Sequence, residues 1–565
     1  MDFDDILGDM GHRQRYQKLV FYLLSVPCSI MSVLVLFNVV FLSATPDHWC
    51  RVPQLEEAIS SPETIKNLSL PTEIRDGQLV YSRCQMYDVN YTALLERGVT
   101  GADAEWPRTD CRYGWNYDRS LYHETLVTQM DVVCDRSWMT SLAMSVFYAG
   151  SLFGNAIYGY IGDRFGRKPT LLIIILVDFA VSFISVFSPN YSFYIGCRAL
   201  LGLGFPSLYR ISFIMAIELM IPERRARCGM LYCIFFSFSM MLLAGIAYLI
   251  RNWVYLALAT SLPFAILLVY WWFITESPRW YLSHNHLEKA ECVIQKIAKF
   301  NGKTLPEDYL QNLANLQDVN VEHNPKEPKP SLLDLVRTPN LRKKFIIINF
   351  VWIAIAFDYS GLSLGSTSLG VNDYVAFCIS ALVELPGIIV AWFTMERVGR
   401  RWTMCVAMLL GGSSLISTGF IPSGYVWTTF ALSNIGKLGI SGSFAVIYVF
   451  ASELVPTVLR SLALATCSFT SGFVLILAPQ LLYMAETYGR SSSFDRLWDS
   501  FVNWECLNLV IARNVKFPPP ADGRRKRKIW KEVQILKFSV VETRHKRNGT
   551  NVIKLNQNAN SLRHS

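Results

Sequence analysis

The sequence predicts an all-α membrane protein made of two similar halves, and three observations carry that reading. Composition comes first: 52% of the 565 residues are hydrophobic and only 17% are charged, too little polar surface to solvate a globule of this size. Runs of about 20 apolar residues, the length that crosses a hydrocarbon core as a helix, recur along the chain. The charged loops between those runs also repeat. GDRFGRKP (Gly162 to Pro169) has a counterpart in ERVGRRWT (Glu396 to Thr403), and ELMIPERR, with Glu218 seven residues before Arg225, has one in ELVPTVLR, with Glu453 seven before Arg460. The offsets between copies, 233 and 235 residues, nearly agree.

The apolar runs fall at about 20–42, 139–161, 169–187, 191–213, 229–250, 252–274, 345–364, 374–395, 402–420, 426–450 and 461–484, and are numbered here as spans one to eleven. Internal duplication on this scale is how secondary transporters are built, with the substrate site near the midplane between the halves. The N-terminus is acidic, and the first run is too long for a cleavable signal and lacks a small-residue cleavage site. Lysine and arginine bias sets the orientation. HRQRYQK precedes span one, and Arg164/Arg167/Lys168, Arg224/Arg225/Arg227, Arg342/Lys343/Lys344, Arg397/Arg400/Arg401 and Arg460 follow spans two, four, six, eight and ten. The N-terminus is therefore expected in the cytosol. The expected organisation is a cytosolic N-terminus (1–19), span one (20–42), an extracellular loop (43–138), the rest of the N-terminal bundle (139–274), a cytosolic helical loop (275–344), a five-span C-terminal bundle (345–484) and a basic tail (485–565).

The extracellular assignment agrees with what the loop contains. Cys50, Cys84, Cys111 and Cys134 lie in it beside the glycosylation sequons at Asn67 and Asn90, which implies an oxidising compartment. Four cysteines allow three pairings, and the sequence does not choose among them. In the cytosolic stretch, LEKAECVIQKIAKFNGK has apolar residues at helical spacing and ends in Asn-Gly, an amphipathic helix and its stop. LPEDYLQNLANLQ reads as a weaker helix and VEHNPKEPKP as a proline-rich linker.

Several segments together resemble a known family. CRYGWNYDRS and TLVTQMDVVCDRSW in the outer loop, GDRFGRKP, TESPRWYL after span six, LLDLVRTPNLRKK before span seven, FDYSGLSL in span seven and ELVPTVLR after span ten resemble the organic cation, organic anion and zwitterion transporters of the major facilitator superfamily, over about residues 1–484. ESPRW and the charged loops alone also fit sugar porters; the four-cysteine loop narrows the resemblance. It implies a twelve-helix, two-bundle fold, alternating access, and movement of small charged organic molecules across the plasma membrane.

Charged residues at span ends suggest gates. Asp163, Glu218, Glu396 and Glu453, with Arg164, Arg167, Arg225, Arg400 and Arg460 nearby, can pair in one conformation and part in the other, so their differential contact energy biases the two forms. Topology anchoring and helix capping are the alternative. Inside the spans stand Asp178, Arg210, Asp358, Glu384 and Lys437. A charge in hydrocarbon costs several kcal/mol and turns by default toward a cavity or a partner. Three acids and two bases leave the interior near net −1, which suits a cation or zwitterion better than an anion; mutual pairing for helix packing is the alternative, favoured for Asp178. Aromatic residues complete a cation site: Tyr209, Tyr232, Trp352, Tyr359 and Tyr448 lie in spans four, five, seven and ten, and ring faces attract amines by about 0.5 to 2 kcal/mol each. Trp352 and Tyr359 lie two turns apart along one face. The resemblance places substrate-site aromatics at both and an acidic substrate residue at Glu384.

Two departures stand out. Where the resemblance places a charge in span eleven, acidic in cation carriers and basic in many anion and zwitterion carriers, this chain has Gly472. After Glu486 only about ten moderately apolar residues occur, near Phe501 to Ile511, short of the roughly 20 a span requires. The twelfth helix is therefore expected to be missing, with a disordered tail carrying RRKRK (Arg524 to Lys528) and a sequon at Asn548, in a poorly folded or inactive form. No metalloprotease, phosphate-loop or nucleophile-elbow motif occurs, so neither an enzyme nor a cofactor is expected, and no nucleic-acid partner. The expected partners are a small charged organic substrate and the bilayer. An organic anion or sugar carrier, or a transport-inactive binding subunit, are the other readings.

Overall fold

The computed structural model describes Leu7 and residues 14–59, 61–75, 78–98, 101–305, 332–367, 369–422, 424–455 and 459–488. The expectations placed on LPEDYLQNLANLQ after Leu305, on VEHNPKEPKP, and on the tail from residue 489 onward (the absent twelfth span, RRKRK, Asn548) lie outside the described residues.

Each apolar run is helical. The spans are Arg15–Leu42, Trp138–Phe165, Arg167–Ser185, Tyr191–Glu218, Pro222–Leu249, Trp253–Phe273, Pro339–Leu364, Asp373–Arg397, Arg400–Gly419, Val426–Leu454 and Arg460–Tyr488. Span six breaks at Pro263 into the helices Trp253–Ser261, Pro263–Leu267 and Tyr270–Phe273, as expected where a proline removes a hydrogen-bond donor. Among the described residues nine helices are long and apolar enough to cross a membrane. Spans two and nine, of 28 and 20 residues, are helices outside those nine. Large apolar side chains face outward, among them Leu176 and Phe183 of span three and Val390 and Phe393 of span eight. An apolar outside is the inverse of a soluble globule and is solvated by lipid.

Helices gather into two cores, one built mainly by spans one to six and one by spans seven to eleven. Lipid gives no hydrophobic drive between helices, so close backbone approach carries the packing. A Cβ added at Gly154 of span two would lie 2.0 Å from the Leu203 carbonyl oxygen of span four. Gly387, 233 residues later, meets the Leu438 carbonyl of span ten at 2.6 Å in the same sense. Between the bundles, span two packs on span eleven and span five on span eight.

The cysteine-rich loop departs locally from the all-α class. Among the described residues it carries three two-stranded antiparallel ladders, His48–Cys50 with Trp115–Tyr117, Thr72–Arg75 with Gln78–Tyr81, and Gln85–Tyr87 with Arg108–Asp110. Of the three pairings left open, the cysteines adopt Cys50–Cys111 and Cys84–Cys134. Asn67 and Asn90 are both exposed, and the Asn90 side chain caps the helix Tyr91–Glu96. At this cysteine-rich end the halves are tied together: the Tyr122 hydroxyl donates to Asp373 Oδ2 (2.7 Å), Ser137 Oγ lies 2.9 Å from the Tyr483 hydroxyl, and Phe41 stacks on Tyr374 at 5.4 Å.

The amphipathic segment forms the helix Leu287–Phe300, whose buried Ala290, Ile294, Ile297 and Ala298 fall at helical spacing. It stops at Asn301 and Gly302, the latter at φ +81°, a left-handed cap that glycine adopts without steric cost. Non-reducing peptide mapping should recover cross-linked peptides joining Cys50 to Cys111 and Cys84 to Cys134; a peptide joining Cys50 to Cys84 would refute the observed pairing.

Candidate functional site

The centre of the site is a buried ion pair. Lys437 Nζ of span ten lies 3.0 Å from Glu384 Oε1 of span eight, with side chains 1% and 2% exposed. Desolvating two charges costs several kcal/mol per ion unless further groups satisfy them, and here they do. The Tyr359 hydroxyl donates to Glu384 Oε1 (2.9 Å), the Ser237 hydroxyl to Glu384 Oε2 (2.7 Å), and the ammonium donates to the Ser363 hydroxyl. The same ammonium sits 3.7 Å from the centre of the Tyr359 ring. Ser237 belongs to span five, so its bond to Glu384 crosses between the bundles.

Around the pair runs an aromatic wall. Trp352 meets Tyr448 edge-on at 4.6 Å, Tyr448 meets Phe444 at 5.6 Å, and Phe444 meets Tyr359 at 5.2 Å. The facing half contributes Tyr209, whose ring lies 4.3 Å from Tyr232. Tyr232 is buried, with its hydroxyl bonded to Ser212 and to the Tyr209 carbonyl, so it braces Tyr209. Arg210 has neither an ion pair nor a hydrogen bond among the described residues, is half-buried, and lies close enough to act electrostatically on Tyr448. Asp358 is half-buried, next in sequence to Tyr359 on span seven. The second half thus contributes carboxylates and ring faces to the site, and the first half ring faces and the Arg210 guanidinium.

Asp178 stands apart. It is fully buried in span three and packs against Gly204, where an added Cβ would lie 2.0 Å from its Oδ1. Gly472 also has a physical account: an added Cβ would meet Leu152 Cδ1 of span two at 2.8 Å. This position lies in the span two to span eleven contact, where any larger side chain would have to displace Leu152.

At the other end of the spans, the two loop copies make equivalent bonds. Arg167 reaches Asp163 (3.0 Å) and Glu218 (3.8 Å), and Arg400 reaches Glu453 (3.1 Å). Glu396 accepts instead from Trp392 Nε1 (3.1 Å), Arg164 donates to the Tyr160 hydroxyl (2.6 Å), Arg225 donates to the Met220 carbonyl (3.1 Å), and Arg460 is exposed with no ion pair among the described residues.

Two charged residues were missed by the sequence reading. Glu276, in ESPRW, accepts from the backbone N–H groups of Arg167 and Lys168 (3.0 Å each), capping the start of span three. Burial pushes its carboxyl above the ordinary range, against the pull of those bonds and of the nearby Arg167. Arg198, 1% exposed in span four, donates to the Val35 carbonyl (2.8 Å) and Asn38 Oδ1 (3.2 Å) and lies 4.4 Å from the Phe147 ring centre, joining spans one, two and four. Its position inside an apolar run was the available signal.

Residues 95–511 match the family described as "Sugar (and other) transporter". The chain is 36% identical over 495 residues to "Carcinine transporter" of Drosophila melanogaster, covering 86% of this chain and 73% of that protein. It is 34% identical over 546 residues to "Solute carrier family 22 member 21" of Mus musculus, covering 95% of each, and 33% identical over 525 residues to "Organic cation/carnitine transporter 2" of Homo sapiens, covering 92% and 93%. The chain belongs to the organic cation, organic anion and zwitterion transporter family of the major facilitator superfamily. Among solved structures, the "Partially occluded inward open conformation of the xylose transporter XylE from E. coli" superposes with a TM-score of 0.55 at 14% identity, over 87% of this chain and 96% of that one, and shows the shared transporter fold. The family match continues to residue 511, past residue 484 where the motif-based resemblance ended.

In this transporter the two loop networks differ in burial, and that decides their relative strength. The Glu218 side chain is 13% exposed and the Glu453 side chain 49%; an exposed pair is worth about 0–1 kcal/mol, whereas a buried partner left alone costs more. Glu218→Gln should therefore lower the thermal unfolding midpoint of the purified protein more than Glu453→Gln; equal shifts would refute this ranking.

Proposed function

We propose that the chain carries small organic cations or zwitterions, carnitine-like or quaternary-amine compounds, across the plasma membrane by alternating access, with its N-terminus in the cytosol. One observation carries the reading: Glu384 and the face of Tyr359 already hold an ammonium, that of Lys437. A site that satisfies one ammonium has the chemistry to satisfy another. The relatives named for organic cations, carnitine and carcinine support the same substrate class. Tyr209, Arg210, Tyr232, Trp352, Asp358, Tyr359, Glu384, Lys437 and Tyr448 form the proposed substrate site. Asp358 and Glu384 face the amine; Arg210, with Lys437 as a second cation, faces any carboxylate. The gating set is Asp163, Arg164, Arg167, Glu218, Arg225, Glu396, Arg400, Glu453 and Arg460, with the pairs of Arg167 and Arg400 as its core.

Uptake into cells expressing the chain should be competed by tetraalkylammonium or carnitine-like compounds. Competition by dicarboxylates alone would sink the proposal. Within the site, Asp358→Asn should weaken uptake of cations and zwitterions alike, by about tenfold for a lost charge-assisted contact, whereas Arg210→Gln should weaken zwitterions and spare simple cations. Equal loss of both substrate classes in both variants, with poor surface expression, would instead mark structural ion pairing.

A further inference from the structure

The contacts of Lys437 are those a substrate amine would make. Its ammonium touches a carboxylate oxygen at 3.0 Å, a serine hydroxyl, and a tyrosine ring face at 3.7 Å, and the side chain is 1% exposed. An anion, a polar acceptor and a π face are together the recognition set for an organic cation. We propose that Lys437 is a tethered stand-in for the substrate's cationic group, occupying the amine subsite when the carrier is empty and leaving it when substrate arrives. The proposal rests on the reading of the site as one for organic cations or zwitterions.

Three features of the geometry favour exchange over a fixed structural pair. A lysine ammonium is a compact charge on a flexible four-carbon stem, able to swing without rebuilding its helix. The partners that hold Glu384, Tyr359 from span seven and Ser237 from span five, stay in place when the ammonium leaves, so the carboxylate remains oriented for the incoming amine. Charge is also conserved: a cation that displaces Lys437 keeps Glu384 neutralised, and the empty carrier never exposes a bare carboxylate in the membrane. The two substrate classes then separate. For a simple cation the displaced ammonium is left without its anion, a cost charged against binding. For a zwitterion the displaced ammonium finds the substrate's own carboxylate.

Lys437→Met therefore has opposite effects on the two classes. In competition assays corrected for surface expression, tetraethylammonium should compete at roughly tenfold lower concentration than in wild type, while carnitine should compete at roughly tenfold higher concentration, the factor being that of one charged hydrogen bond. Lys437→Arg, which keeps the charge but grips Glu384 with a fork of donors, should weaken tetraethylammonium and remain at the surface even if Lys437→Met does not. Loss of both compounds in Lys437→Met, recovered for both by Glu384→Gln/Lys437→Met, would show a structural pair and overturn the proposal, as would unchanged tetraethylammonium competition in Lys437→Arg. A wild-type chain competed by no amine would remove the underlying substrate reading together with the proposal. A wild type competed by amines, with Lys437→Met unchanged, would remove the role of Lys437 alone.

Discussion

An ammonium and a carboxylate sealed from water, Lys437 and Glu384, set the terms for the middle of this protein. Neither charge is tolerable alone at that depth, since a partner removed leaves an uncompensated charge in a low-dielectric interior. The surroundings answer this need group by group. Tyr359 and Ser237 donate to the carboxylate, and the Ser363 hydroxyl accepts a hydrogen bond from the ammonium. Four helices are thereby held in register by one pair: spans five, seven, eight and ten. The Ser237 bond is the one of these that must change when the bundles move apart. The chemistry of the site and the closure of the bundles are therefore linked at Glu384.

Duplication explains the two largest helix contacts between the halves among the described residues. The repeat carries span two onto span eight and span five onto span eleven, so the packing of span two on eleven and of span five on eight is one contact used twice. Gly154 and Gly387 stand 233 residues apart and both admit a backbone from the fourth helix of their own half. Where the copies differ, a local reason is visible. Gly411 is the counterpart of Asp178 and lets span nine close on span ten, its added Cβ meeting Ile440 at 2.6 Å, whereas the first half presses a carboxylate on Gly204 at the same place.

Much of this was legible in the sequence because membrane burial writes long, simple signals. The apolar runs became helices, span six in three pieces, the charged loop residues were singled out although not which arginine meets which carboxylate, and the helix at Leu287–Phe300 stopped at its Asn-Gly. What escaped depended on contacts between distant segments. Lys437 and Glu384 were both picked out, but their pairing belongs to the approach of two helices. Cysteine spacing could not choose a pairing that the ladders of the cysteine-rich loop decide. The short strands of that loop are too brief for alternation to show. Arg198 was overlooked because an apolar run dilutes one charge, and its partners are backbone carbonyls, Asn38 and the Phe147 ring on distant spans, which no sequence pattern announces.

The same physics bounds how firmly the described form is held. At the cysteine-rich end the halves are tied by neutral or single-charge hydrogen bonds, Tyr122 to Asp373 and Ser137 to Tyr483, and by the stacking of Phe41 on Tyr374. Each such bond is worth about 0.5–1.5 kcal/mol net, or about 1.5–3 kcal/mol where one partner is charged, so these two hydrogen bonds together contribute a few kcal/mol. A ligand can shift a two-state balance only by its differential affinity, and about 5.5 kcal/mol moves it from one extreme to the other. Contacts of this size lie within the reach of one substrate amine bound at Glu384. A much stronger seal, such as a second buried ion pair at Tyr122 and Asp373, would hold the carrier in one form whatever it bound.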